Sequence, residues 1–102
     1  MEKRTVIGAF FFLNLLSFKL NVMGQKIKMI WDFRGMDALQ FAKHHIHHLE
    51  EFATIEKLKY NITGTEIYTE MYAGAFMIVD ESEMLKVRDA LRPNRAEYAE
   101  EE

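Results

Sequence analysis

Between Lys26 and Ala53 the apolar residues change their spacing, from every second position to a helical repeat, with Gly35 at the change. Before it, Ile27, Met29, Trp31 and Phe33 alternate with Lys28, Ile30, Asp32 and Arg34. A strand sends successive side chains to opposite faces, so this run reads as a strand with one apolar face. After it, Leu39, Ala42, Ile46, Leu49 and Ala53 form one stripe over about Met36 to Ala53, flanked by Ala38, Phe41 and Phe52. No Gly or Pro interrupts that helix, and Asp37 stands where a helix N-terminus favours a carboxylate.

The remaining elements follow the same two periods. Thr54 to Gly64 fits either a longer helix or a loop, with Asn61 to Gly64 reading as a turn. Glu66 to Tyr72 alternates, and Ala73-Gly74 is expected to turn a hairpin into Ala75 to Val79. Asp80 and Ser82 are N-cap candidates for a second helix carrying Met84, Leu85, Val87 and Leu91, which Pro93 stops. The acidic tail from Asn94 is expected to fray, with Glu97-Tyr98-Ala99 available as a short edge strand. The expected fold class is α+β, a ferredoxin-like β-α-β-β-α sheet with both helices on the face of Ile27, Met29, Trp31 and Phe33.

A chain of 102 residues suits one domain, here 25–102, which buries only roughly 60–65% of the surface its unfolded form exposes. Pairing with a second copy is a common remedy, so a homodimer joined through the helix-free face is expected. A net charge of −3 with scattered basic residues argues against a nucleic-acid partner. The absence of cysteine removes disulfides, thiol nucleophiles and thiolate metal sites.

Residues 1–24 differ from the rest. Glu2-Lys3-Arg4 leads into the apolar run Val6 to Leu13, which resumes at Leu15, Leu16 and Phe18. About 13 apolar residues are too few to span a bilayer, which takes roughly 20, so stable membrane insertion is not expected. Three readings remain for this extension: a removed signal peptide, an extra element packed on the domain, or a start-site artefact with translation beginning at Met23. The last is preferred, because the regular pattern begins at Gln25-Lys26. Accordingly the expected location is cytoplasmic, with export as the alternative.

Two groups of residues are candidates for chemistry. His44, His45, His47 and His48 lie within one helix, and His44, His48 and Glu51 share a side of it. A spacing of four between two histidines is that of helical zinc ligands, although solvated histidines are the commoner outcome. His45 falls at the border of the apolar stripe, near Phe41, Leu49 and Phe52, either as a neutral core imidazole or as a general base. The aromatic set Trp31, Phe33, Phe41 and Phe52 is expected in the core. On the other sheet face Lys28, Asp32 and Arg34 project together, with Tyr68, Glu70 and Tyr72 from the neighbouring strand expected beside them as ligand-binding groups. The alternative is that this face is solvated, with Arg34 merely pairing with Asp32 or Glu70.

The helix segment Ala42-Lys43-His44-His45-Ile46-His47-His48-Leu49 and the segment Gly74 to Ser82, a strand running into an acidic helix start, resemble the dimeric α+β barrel superfamily, and within it the YciI-like proteins. The likeness covers about Lys26 to Leu91 and rests mainly on element order. It implies a helix histidine acting with an aspartate; His45 matches the histidine, and no residue matches the aspartate. Three functions follow, ranked in this order. The first is a homodimer that binds a small molecule or merely associates. The second is a proton-transfer or lyase-type enzyme using His45 with Asp32 or Arg34. The third is a metal-binding protein using His44, His48 and Glu51. No organic cofactor is expected.

Overall fold

The computed structural model describes residues 24–99. All three readings of the N-terminal extension lie outside the described residues. Strand β1 (Lys26–Arg34) leads into helix α1 (Ala38–Ile55), followed by strands β2 (Ile62–Thr69) and β3 (Tyr72–Asp80). A 3₁₀ turn (Glu81–Glu83) opens helix α2 (Met84–Leu91), and strand β4 (Arg95–Tyr98) closes the order. The four strands form one sheet in the order β2-β3-β1-β4, and every neighbouring pair is antiparallel. This is the ferredoxin-like arrangement, α+β with both helices packed against one sheet face.

The core lies between the sheet and the helices. Ile27, Met29 and Trp31 of β1 and Met77 and Val79 of β3 meet Leu49 of α1 and Val87 of α2 there. A large aliphatic side chain buried this way contributes about 1.5–3 kcal/mol. Ala38, Ala42 and Ala53 of α1 face Ala73 and Ala75 of β3, all buried, so helix and sheet approach closely. The Trp31 indole Nε1 donates to the Leu91 carbonyl at 2.8 Å, tying the end of α2 to β1.

Several boundaries differ from those read in the sequence. The hairpin turns at Glu70-Met71, where the Thr69 hydroxyl accepts from the Met71 amide at 3.1 Å. Ala73 and Gly74 sit inside β3 instead. Their small size serves close packing, not chain reversal. Asn61 to Gly64 is not a turn, because β2 already begins at Ile62. Phe41 is 55% exposed and Leu85 48%, so neither belongs to the core. Asp37 makes no side-chain cap to α1, whereas Asp80 does accept from the Ser82 amide.

Helix α1 ends in a Schellman motif. The Leu58 amide donates to the Ala53 carbonyl at 3.0 Å and the Lys57 amide to Thr54 at 3.2 Å, with Lys57 at φ 54°. A lysine in this left-handed position hides the helix end from anyone looking for glycine. The tail also forms a full fourth strand. Asn94 places it: its amide donates to the Ile30 carbonyl at 2.8 Å, and its side-chain oxygen accepts from the Asp32 amide at 2.7 Å.

Candidate functional site: the helix-free sheet face and the helix histidines

Strand alternation sends Lys28, Ile30, Asp32 and Arg34 away from the helices, as their spacing predicts. Across that face runs a continuous polar chain. The Lys28 ammonium pairs with the Glu66 carboxylate. Glu66 also accepts from the Tyr68 hydroxyl at 2.9 Å. The same hydroxyl accepts from Arg95 at 3.1 Å. Arg95 in turn donates from Nε and Nη2 to the two Asp32 oxygens, at 3.2 and 3.1 Å. Burial first, and then the bond to Glu66, push the Tyr68 phenol up to about 12, so it stays a donor at any physiological pH. Pairing with Asp32 raises Arg95 in the same sense, toward the charged form.

Tyr68 and Arg95 belong to the two edge strands, which lie three strand spacings of about 4.8 Å apart. Their contact requires both side chains to lie along the sheet. Gly74 makes this possible, because a Cβ there would come within 2.9 Å of the Tyr68 hydroxyl. Gly64 does the same for Phe76, whose ring would meet such a Cβ at 2.6 Å. The Phe76 ring also lies 4.7 Å from the Lys28 ammonium, and Tyr72 stacks 4.6 Å from Tyr68 with the Arg34 guanidinium 3.8 Å from its ring. Lys28, Ile30, Glu66, Tyr68, Arg95 and Glu97 are the main lining of an open groove of about 590 Å³, within the usual range of ligand pockets.

Of the six residues read as sharing this face, Lys28, Asp32, Arg34, Tyr68 and Tyr72 come together and Glu70 does not. A register shift between Ile67 and Thr69 breaks the alternation and leaves Glu70 exposed in the turn. Glu66, on the same parity two residues before Tyr68, takes the place read for Glu70. Arg34 pairs with neither Asp32 nor Glu70 and lies against Tyr72. Arg95 was hidden in a tail read as frayed; the signal for it is Pro93-Asn94, a helix stop followed by a side chain able to pin a new strand.

The histidines lie on the other side of the molecule. The His45 ring packs 5.2 Å from Trp31 and 5.6 Å from Phe33, on the helix side of β1. Its Nε2 is buried and has no hydrogen-bond partner among the described residues. Burial, then the nearby His48 and His44, lower its pKa from the ordinary 6.5, so the ring is held neutral. The sheet lies between His45 and the side chains of Asp32 and Arg34, because these project from the face opposite Trp31 and Phe33. The three residues read as a catalytic set are therefore not brought together within one chain. His44 and His48 approach to 3.3 Å between their Nε2 atoms, and His48 Nδ1 lies 3.9 Å from Glu51, all exposed. Among the described residues no group of three or more His, Asp or Glu is arranged to hold a metal ion. The reading of His44, His48 and Glu51 as three ligands is corrected accordingly: a carboxylate one turn beyond His48 reaches the outer nitrogen of that ring, not the point where the Nε2 atoms meet. Among the described residues no helix is long and apolar enough to cross a membrane.

Comparison with family models, with curated proteins and with solved structures gives no match to the chain.

Proposed function

We propose that the chain is a non-enzymatic homodimer of the dimeric α+β barrel type, in which two helix-free faces close over a space that takes a small polar molecule. The observation that carries this reading is the groove of about 590 Å³ lined by the Lys28–Glu66–Tyr68–Arg95 chain. Charged groups gathered on a sheet face that no helix covers need partners or a polar ligand once a second layer excludes water. The Lys28 side chain is already only 10% exposed within one protomer, and it is matched by Glu66. A small domain with a half-covered sheet gains most from burying that face. Exposed Ile62 on the edge strand adds apolar area on the same side. In this reading the protein works in the cytoplasm, needs no cofactor and has no nucleic-acid partner.

Sedimentation of the full chain at micromolar concentration tests the association, with Ile62→Glu as the disrupting variant. A dimer that becomes monomeric while keeping its strand and helix signal supports the reading. A monomeric parent overturns it. Ligand class is tested by thermal unfolding of the parent and of Arg95→Gln against small carboxylates, phosphates and amines. A stabilisation present only in the parent places the ligand in the groove.

A further inference from the structure

We propose that Arg34 receives the anionic end of the ligand, a small carboxylate, together with the unused edge of Arg95. This names the ligand class of the helix-free face and rests on the reading of that face as the binding face.

The charges along the face are unevenly matched. Lys28 is paired with Glu66, and Arg95 holds both oxygens of Asp32. Glu97 stands across from Lys28 in the β1–β4 register, at the other end of β1 from Arg34. Arg34 is exposed and, among the described residues, makes no hydrogen bond or ion pair. The carboxylate two residues before it on the same face, Asp32, is already taken by Arg95. Arg34 is therefore a cation without a counter-charge at its end of the sheet.

An unpaired arginine on a surface would ordinarily keep its rotamer freedom. Here the Tyr72 ring fixes it, with the guanidinium carbon 3.8 Å from the ring centre and Tyr68 backing that ring at 4.6 Å. Stacking uses the flat face of the guanidinium and leaves its N–H donors free at the edge. A fork held flat and unbonded at its edge is pre-organised for a bidentate carboxylate.

Arg95 supplies a second donor edge. Its Nε and Nη2 are spent on Asp32 and Tyr68, while Nη1 makes no hydrogen bond among the described residues. Arg95 is held toward its charged form first by Asp32 and also by the proximity of Tyr68 and Tyr72. Tyr72 thus has one guanidinium group stacked on its ring and another nearby. Asp32 offsets one of these two charges, so a single positive charge is left for the ligand. A monoanionic carboxylate matches it, whereas a phosphate dianion would bring a further negative charge beside Asp32.

Titration of the full chain with sodium benzoate, followed by NMR of the arginine Nε–H signals at fixed ionic strength, tests this. Benzamide serves as the uncharged match, and sedimentation is run on the same samples. Benzoate should shift the Arg34 and Arg95 signals saturably, and benzamide should not. Arg34→Gln should weaken benzoate binding about 10-fold or more while keeping the folded spectrum, as expected for loss of a charge-assisted pair. Arg34→Lys, which keeps the charge and loses the fork, should recover only part of the binding. No saturable shift in the parent overturns the assignment, as does equal binding in Arg34→Gln, equal binding of benzamide, or tighter binding of inorganic phosphate. A dimer without an Arg34 response overturns this assignment and keeps the association. A monomer that binds benzoate through Arg34 does the reverse.

Discussion

The Arg95 guanidinium holds the Asp32 carboxylate through two hydrogen bonds of 3.1 and 3.2 Å, across 63 residues of sequence. It is a side-chain link between the last strand and the first, added to the backbone pairing of the four-residue β4 with β1. Bidentate charged bonds of this kind are stronger than neutral ones and geometrically specific.

Arg95→Gln should therefore destabilise the fold by about 1–3 kcal/mol, because Asp32 and Tyr68 each lose a charged donor. Chemical denaturation measures it. In a double-mutant cycle with Asp32→Asn, the two losses should fall short of additivity by about 1 kcal/mol or more. Additive losses would mean the pair contributes nothing beyond its separate parts.

Gly74→Ala probes the close approach of Tyr68. The new methyl would meet the Tyr68 hydroxyl at 2.9 Å and displace it from Glu66 and Arg95. A loss of about 1–2 kcal/mol is expected, in the usual range for point changes that break a hydrogen-bonded network. The same substitution in a Tyr68→Ala background should be neutral or slightly stabilising, since alanine suits a strand better than glycine. An equal loss in both backgrounds would remove Tyr68 from the explanation.

His45 gives a pH dependence with a definite sign. Its folded pKa lies below the unfolded 6.5, so the unfolded state binds the proton more readily. Stability is unaffected above that value and falls as pH drops through the interval between the two pKa values, then levels off. Asp80, lowered from 3.8 chiefly by the Ser82 hydroxyl, adds a separate loss at more acid pH, as pH falls from 3.8 through its folded pKa. His45→Met should flatten the first limb and leave the second, read by denaturation midpoints across pH. His45→Ala at neutral pH should cost about 1–3 kcal/mol through lost packing on Trp31 and Phe33, whereas exposed His47→Ala should stay within about 0.5 kcal/mol. Equal small effects would contradict the packing of His45 on the sheet.

Lys57→Gly should stabilise the protein by about 0.5–1 kcal/mol. A non-glycine residue in the left-handed region costs roughly 1–2 kcal/mol, which glycine avoids while losing part of the gain to its freer unfolded chain. The thermal midpoint should rise without any change in helix content. A fall would show that the Lys57 side chain makes contacts outweighing the backbone strain.

Strand β1, helix α1 and the sidedness of β1 are legible in the residues alone, because these depend on spacing along a few turns or a few strand residues. Ile27, Met29, Trp31 and Phe33 could face only one layer, and His45 followed from its place beside the stripe. The order of elements, and with it the α+β class, came from the same local periods. What lay beyond reach depended on residues far apart in the chain. Alternation carried past Tyr68 points to Glu70 as a site residue, but the register shift after Ile67 takes Glu70 into the turn, and Glu66, on the regular part of β2, is the carboxylate beside Tyr68. Phe41 reads as core from its helix position, yet the face of α1 that is buried carries Ala38, Ala42, Leu49 and Ala53 and leaves it outside. Ala73-Gly74 looks like a turn until Tyr68 is seen lying across it. The fourth strand is legible only as a possible edge strand at Glu97-Tyr98-Ala99; that it starts at Arg95 and pairs with β1 depends on Asn94 bonding the β1 backbone, far away in the chain. Spacing records which way a side chain points; only packing decides what it meets.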